Sequence, residues 1–186
     1  MSERTILPTA DQTVGPFFRD GLVYDGDNLL VEPGTAGSIV LAGRVLDGES
    51  RPVPDALIEI WHADRMGRIV SEPGSRNRRP GRFTGFGRCE TDPDGWYDFV
   101  TCEPGAVAPN PAAYFAVKVF ARGLLAVLDT RIYVPGDDDA LALDPLLQRL
   151  TRPERETLIA VRAAPDRLLH DIRLQGERET VFLAFR

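Results

Sequence analysis

The chain has 186 residues, of which 43% are hydrophobic and 27% charged, and its formal net charge is −6. That length suits one domain, able to bury roughly 70% of its unfolded surface without a metal or a disulfide to hold it together. The acidity argues against a nucleic-acid partner, because phosphate contact needs a basic face, and no apolar run approaches the length of a membrane span. From Met1 to Gly37 the sequence is rich in Gly, Pro and Asp with scattered apolar residues. This is the pattern of an extended arm lying on something else, and arms of this kind serve subunit interfaces. The same stretch has no basic region followed by an apolar one, so no secretory signal is expected and the cytoplasm is the default location.

Residues 38–186 are expected to form one all-β domain. Ser38 to Leu46 alternates and is β-branched, Gly48 to Pro54 marks a turn, and Ala56 to Trp61 alternates again, which predicts two strands. Gly87 to Thr91 and Trp96 to Cys102 bracket Asp92-Pro93-Asp94-Gly95. There the Pro presets φ and the Gly tolerates a positive φ, so a hairpin is expected. Cys89 and Cys102 lie at unequal distances from that turn and should not face each other across a ladder, which predicts free thiols. Tyr114 to Ala121 and Thr130 to Val134 continue the strand pattern, and three further runs follow at Thr157 to Arg162, Leu168 to Leu174 and Thr180 to Phe185. Only Asp138 to Leu150 reads as helical, broken at Pro145. About eight short strands with turn punctuation predict a single-domain β-sandwich with an N-terminal arm and one or two short helices.

Candidate chemistry is sparse. The chain holds two histidines and four tyrosines. His62 closes an apolar strand and His170 lies far away in sequence, without the i, i+2 spacing that lets one strand present two ligands to one metal. Both read as satisfied structural histidines. Arg76, Arg78, Arg79 and Arg82 cluster in SEPGSRNRRPGRF, read as a solvated loop or, failing that, a subunit contact. Trp61 and Trp96 read as core or interface aromatics.

Two stretches carry a resemblance. LAGRVLDGESRPVPDALIEIWHADRMGR from Leu41 and GFGRCETDPDGWYDFVTCEPGAV ending at Val107 resemble the core of the intradiol ring-cleavage dioxygenases. TADQTVGPFF, VFARGLL, DTRIYV and DIRLQGERETVFLAF resemble that family in order and spacing over nearly the whole chain. The resemblance implies a site in which two tyrosines and two histidines hold a non-haem Fe(III). In this sequence those four positions map onto Ile69, Val107, Tyr114 and Ala116, which cannot supply that ligand set. The resemblance therefore implies a non-iron-binding chain whose homologous beta chain carries the Tyr and His ligands and the Fe(III). The pair, in a higher-order alpha–beta oligomer, would use O2 to cleave a catechol, protocatechuate, between its hydroxyl-bearing carbons, giving 3-carboxy-cis,cis-muconate.

By the same likeness, Thr13, Gly15 and Pro16 are expected to reach the partner's cleft, and Arg131 to attract the substrate's benzoate carboxylate. The competing reading of Arg131 is a strand-face ion pair with a nearby Asp, for which Asp129 is the neighbour. The connection from Pro109 to Tyr114 is short, and Tyr114 either fills the vestigial pocket or sits exposed on its strand. Two other functional readings stand beside this one: a transthyretin-like binding or structural sandwich, and an independent enzyme built around His62 and Glu59.

Overall fold

A computed structural model describes residues 9–15, 17–70 and 82–184. Within them, nine strands form two stacked sheets. The first sheet is built on the central strand β1 (Ser38–Leu46), with β4 (Trp96–Cys102) antiparallel on one side and β8 (Arg167–Leu169) and then β7 (Val161–Ala164) on the other. Further along β1, β9 (Ile172–Arg173) also pairs with it. Both β8 and β9 run parallel to β1. The second sheet is antiparallel, in the order β3 (Phe86–Glu90), β2 (Leu57–Trp61), β5 (Tyr114–Phe120), β6 (Leu128–Tyr133).

Alternation produces the core. On β5 the buried residues are Phe115, Val117 and Val119, and the intervening Tyr114, Ala116, Lys118 and Phe120 are half-buried on the outer face. The inward residues of both sheets, with Leu30, Ile58, Ile60, Phe99, Ile132 and Leu168 among them, make one continuous apolar layer whose burial drives the stacking. A satellite core of Ala112, Tyr133, Leu147 and Leu158 sits beneath the helical segment.

The predicted hairpin is corrected. The Asp92–Gly95 turn forms as its residues dictate, with Asp92 Oδ1 accepting from the backbone of Asp94 and Trp96 at 2.9 Å each. The strands it joins nevertheless lie in different sheets, since β3 pairs with β2 and β4 pairs with β1. The turn is an arch between layers. Cys89 and Cys102 are both buried free thiols.

The C-terminal third also departs from expectation. Thr151 and Glu154 form a capping box with Pro153 in the first turn, and this nucleates α2 (Arg152–Glu156) just before the run expected to be a strand from Thr157. Only its end, from Val161, enters a ladder. The Leu168 to Leu174 run is divided between β8 and β9. From Thr180 the chain makes a single isolated bridge, Leu183 to Asp129, and Phe185 lies outside the described residues. α1 (Asp138–Leu143) is followed by a 3-10 turn at Leu147–Arg149, with Pro145 between them as expected.

Within the N-terminal stretch, Leu30 belongs to the core and its N–H donates to Val100 O at 2.8 Å. Phe18 packs on Phe120, with ring centroids 5.4 Å apart, and Arg19 donates to Pro54 O at 2.7 Å. The segment after Pro16 thus lies on its own sandwich. Among the described residues, no helix is long and apolar enough to cross a membrane.

Candidate functional site

The four positions where the resemblance places iron ligands lie on β5 and on two loops, one that follows β2 and one that leads into β5. Tyr114 and Ala116 open β5, facing outward, and Ala116 pairs with Trp61 on one side and Arg131 on the other. The loop that carries Ile69 abuts the loop that carries Val107: Gly105 N donates to Asp64 O at 2.9 Å, and a Cβ at Gly67, whose φ is +75°, would overlap Ala106 O. Ile69 is exposed and Val107 half-buried.

This donor set does not fit a ferric ion. Isoleucine, valine and alanine offer no lone pair, and the one phenol left, Tyr114, has the Arg131 guanidinium stacked 4.0 Å above its ring. A fixed cation there opposes a metal cation electrostatically. Among the described residues, no cluster of His, Cys, Asp or Glu is arranged to hold a metal.

Arg131 is the focus of the site. One nitrogen, Nη1, donates to the Tyr133 hydroxyl at 3.1 Å, and Tyr133 in turn donates to Asp144 Oδ1 at 2.9 Å. The ion pair with Asp129 envisaged from the sequence does not form, because Asp129 is engaged by Lys118 at 2.6 Å. Nε and Nη2 of Arg131 have no hydrogen-bond partner among the described residues. Two parallel N–H groups on one edge of a planar cation are the geometry that takes a carboxylate bidentately. Beyond Ala116, Trp61 is 48% exposed and packs on Phe86 at 4.7 Å between centroids. The short Ala116 side chain therefore separates a partly exposed indole from the Arg131 side chain.

Of the other expected cleft residues, Thr13 is tied to the turn after β5, its Oγ1 accepting from Gly123 N at 2.7 Å. Gly15 follows, and a Cβ there would meet open space among the described residues. Pro16 lies outside the described residues, as do Arg76, Arg78 and Arg79; Arg82 is described. The structure brings Arg131, Tyr114 and Ala116 together. Sequence reasoning missed Tyr133 and Asp144, since a Tyr in an apolar strand and an Asp before a Pro read as core and turn.

His62 and His170 are both buried structural side chains, in keeping with the reading of their sequence context. His62 is buried between Phe83 and Phe115, with Nδ1 2.8 Å from Ala63 O and Nε2 2.7 Å from Thr101 Oγ1. His170 is buried on the first sheet, its Nε2 3.0 Å from Thr157 O. Burial lowers both imidazoles to about 4, so each is neutral at pH 7. Glu59 is bonded to Arg88 at 2.6 Å on the outer face of its sheet, whereas the His62 ring is buried in the core, so they compose no site. Burial also raises the Tyr133 phenol far above its ordinary value against the opposing pull of Arg131, which keeps it a proton donor to Asp144.

The fold and the composition of this site agree with what the chain is similar to. A family model described as dioxygenase matches residues 14–176, and the chain belongs to that family, the intradiol dioxygenases. Within it, a protocatechuate 3,4-dioxygenase alpha chain from Burkholderia cepacia is 37% identical over 96% of this chain and 98% of that protein. The corresponding alpha chain from Pseudomonas putida is 36% identical over 97% and 98%. A beta chain of the same enzyme from Burkholderia cepacia is also similar, at 36% identity, over only 66% of this chain and 54% of that protein. Among solved structures, a dioxygenase domain from Streptomyces sp. SirexAA-E superposes with a TM-score of 0.57 at 25% identity, covering 91% of this chain and 99% of that one. End-to-end likeness to alpha chains, against partial likeness to a beta chain, makes this an alpha-type member and sets aside the reading as a non-enzymatic sandwich.

Proposed function

We propose that this chain is the alpha-type subunit of a protocatechuate 3,4-dioxygenase. Paired with a homologous beta-type chain that holds Fe(III) through Tyr and His ligands, it completes the cleft in which O2 cleaves protocatechuate to 3-carboxy-cis,cis-muconate. The observation that carries the proposal is the pairing, across β5 and β6, of a ligand position that cannot bind iron with an arginine whose bidentate edge is unclaimed. A chain that supplies no metal donor still supplies shape, water exclusion and charge, and these set orientation and local dielectric in a shared site. In this assignment Arg131 receives the substrate carboxylate, and Thr13, Gly15 and Pro16 close the cleft, with a side-chain-free Gly permitting close approach to an aromatic ring. The segment before the sandwich serves as the subunit interface of a higher-order alpha–beta oligomer. Two buried free thiols suit a reducing, cytoplasmic setting.

Iron content and protocatechuate-dependent O2 uptake test the proposal, measured on the chain alone and after co-expression with its beta-type homologue. The expected result is neither iron nor uptake alone, and both in the complex. Iron and turnover in the isolated chain would overturn it.

A further inference from the structure

Tyr133 and Asp144 have no part in the assignments above, yet they end in the guanidinium that matters most to them. Asp144 is fully buried and follows α1, and its Oδ1 accepts three hydrogen bonds: from the Tyr133 hydroxyl at 2.9 Å, Leu146 N at 2.9 Å and Leu147 N at 3.1 Å. Its Oδ2 is buried with no partner. Tyr133 ends β6, is likewise fully buried, and stands two residues beyond Arg131. With its proton committed to the carboxylate, the phenol oxygen is left as an acceptor, and Arg131 Nη1 donates to it. The negative charge of Asp144 is thereby felt at the guanidinium through one polarised hydroxyl. A tyrosine buried for packing alone needs only one partner for its hydroxyl; this one has two, arranged in the direction that presents a lone pair to a cation.

We infer that Tyr133 and Asp144 are positioning residues for Arg131. They fix the guanidinium over the Tyr114 ring by a single nitrogen, so that its Nε–Nη2 edge is held ready for a substrate carboxylate. An unrestrained arginine loses considerable rotamer freedom on meeting a ligand, and restraint before binding removes that cost. Tyr114 supplies the platform beneath the cation and the Tyr133–Asp144 pair supplies the rotational stop. Asp144 is anchored by two backbone N–H groups at the start of the helical turn, so the device is built into the fold and does not depend on a mobile side chain. The inference rests on the assignment of Arg131 to the substrate carboxylate, and the selectivity it creates is for catechols carrying a carboxylate over catechol itself.

The test uses the complex with the beta-type chain, comparing protocatechuate with catechol as substrates, and the equilibrium binding of 4-hydroxybenzoate with that of phenol. Tyr133→Phe keeps the ring and deletes the acceptor. It should raise KM for protocatechuate about fivefold to tenfold with a smaller change in kcat, weaken 4-hydroxybenzoate by a similar factor, and lower the preference for protocatechuate over catechol. Asp144→Asn preserves the acceptor oxygen and removes the charge, so it should act in the same direction by about twofold to threefold; it also serves as the deciding variant should Tyr133→Phe fail to assemble. Arg131→Ala separates the inference from the assignment beneath it. A preference lost in Arg131→Ala but unchanged in Tyr133→Phe and Asp144→Asn would overturn the positioning role alone. A preference unchanged in Arg131→Ala would overturn the carboxylate assignment itself.

Discussion

Two adjacent rows on the outer face of the second sheet handle charge in opposite ways. In one row, Arg88, Glu59, Lys118 and Asp129 stand in register across all four strands, and every charge closes on a neighbour: Arg88 to Glu59 at 2.6 Å, Lys118 to Asp129 at 2.6 Å. In the next row, Phe86, Trp61, Ala116 and Arg131 follow the same register, and among the described residues the single charge has no direct counter-ion, only a tyrosine ring and a hydroxyl. The difference shows which charges serve the sheet and which await something outside the chain, because a self-neutralised row has no electrostatic reason to recruit a ligand.

That contrast can be broken most severely at Glu59. Its side chain is 14% exposed and that of Arg88 18%, so Glu59→Ala strands a largely buried guanidinium. We expect a loss of about 3 kcal/mol in urea unfolding, with little change in substrate preference; a loss of preference with full stability would invert the assignment of the two rows.

The histidines extend the comparison below the surface. Each is lowered to about 4 by burial, from a value near 6.5 in the unfolded chain. The unfolded state therefore binds more protons between these limits. The stabilisation is complete above pH 6.5 and is lost as pH falls through 6.5 towards 4, by about 2 kcal/mol per histidine at pH 5. Unfolding free energy measured from pH 7.5 to 5 should show this decline, and a flat profile would mean that the imidazoles are not buried as neutral groups.

The smallest effect belongs to Lys118, 41% exposed. Lys118→Ala should cost less than about 1 kcal/mol and free Asp129 beside Arg131. If Asp129 then captures the Arg131 edge, affinity for protocatechuate falls while the unfolding midpoint barely moves, which would sharpen the claim that Lys118 keeps that edge open.

Legibility followed the range of the forces involved. β1, predicted from Ser38 to Leu46, has those ends, because alternation and β-branching are local. The Asp92–Gly95 turn was equally legible, but turn chemistry is the same for a hairpin and for an arch between sheets, so the pairing of β3 and β4 was misread. α2 was missed because a capping box of Thr151 and Glu154 acts over one turn, too short to show helical periodicity. At the site, the empty ligand positions could be read from residue identity alone, since an isoleucine lacks a lone pair in any fold. The Asp144–Tyr133–Arg131 chain could not, because it joins a strand to a post-helical turn through contacts that no spacing rule encodes.

The parallel placement of β8 and β9 against β1 has a consequence for synthesis of the protein. Residues Val40 to Leu46 find their partners at Arg167 to Arg173, so one edge of the central strand stays open until nearly the whole chain has left the ribosome. Contacts of such sequence separation form slowly, and an open strand edge invites pairing with other chains in the interval. Nascent chains truncated before Arg167 are therefore expected to be the aggregation-prone species in the cell.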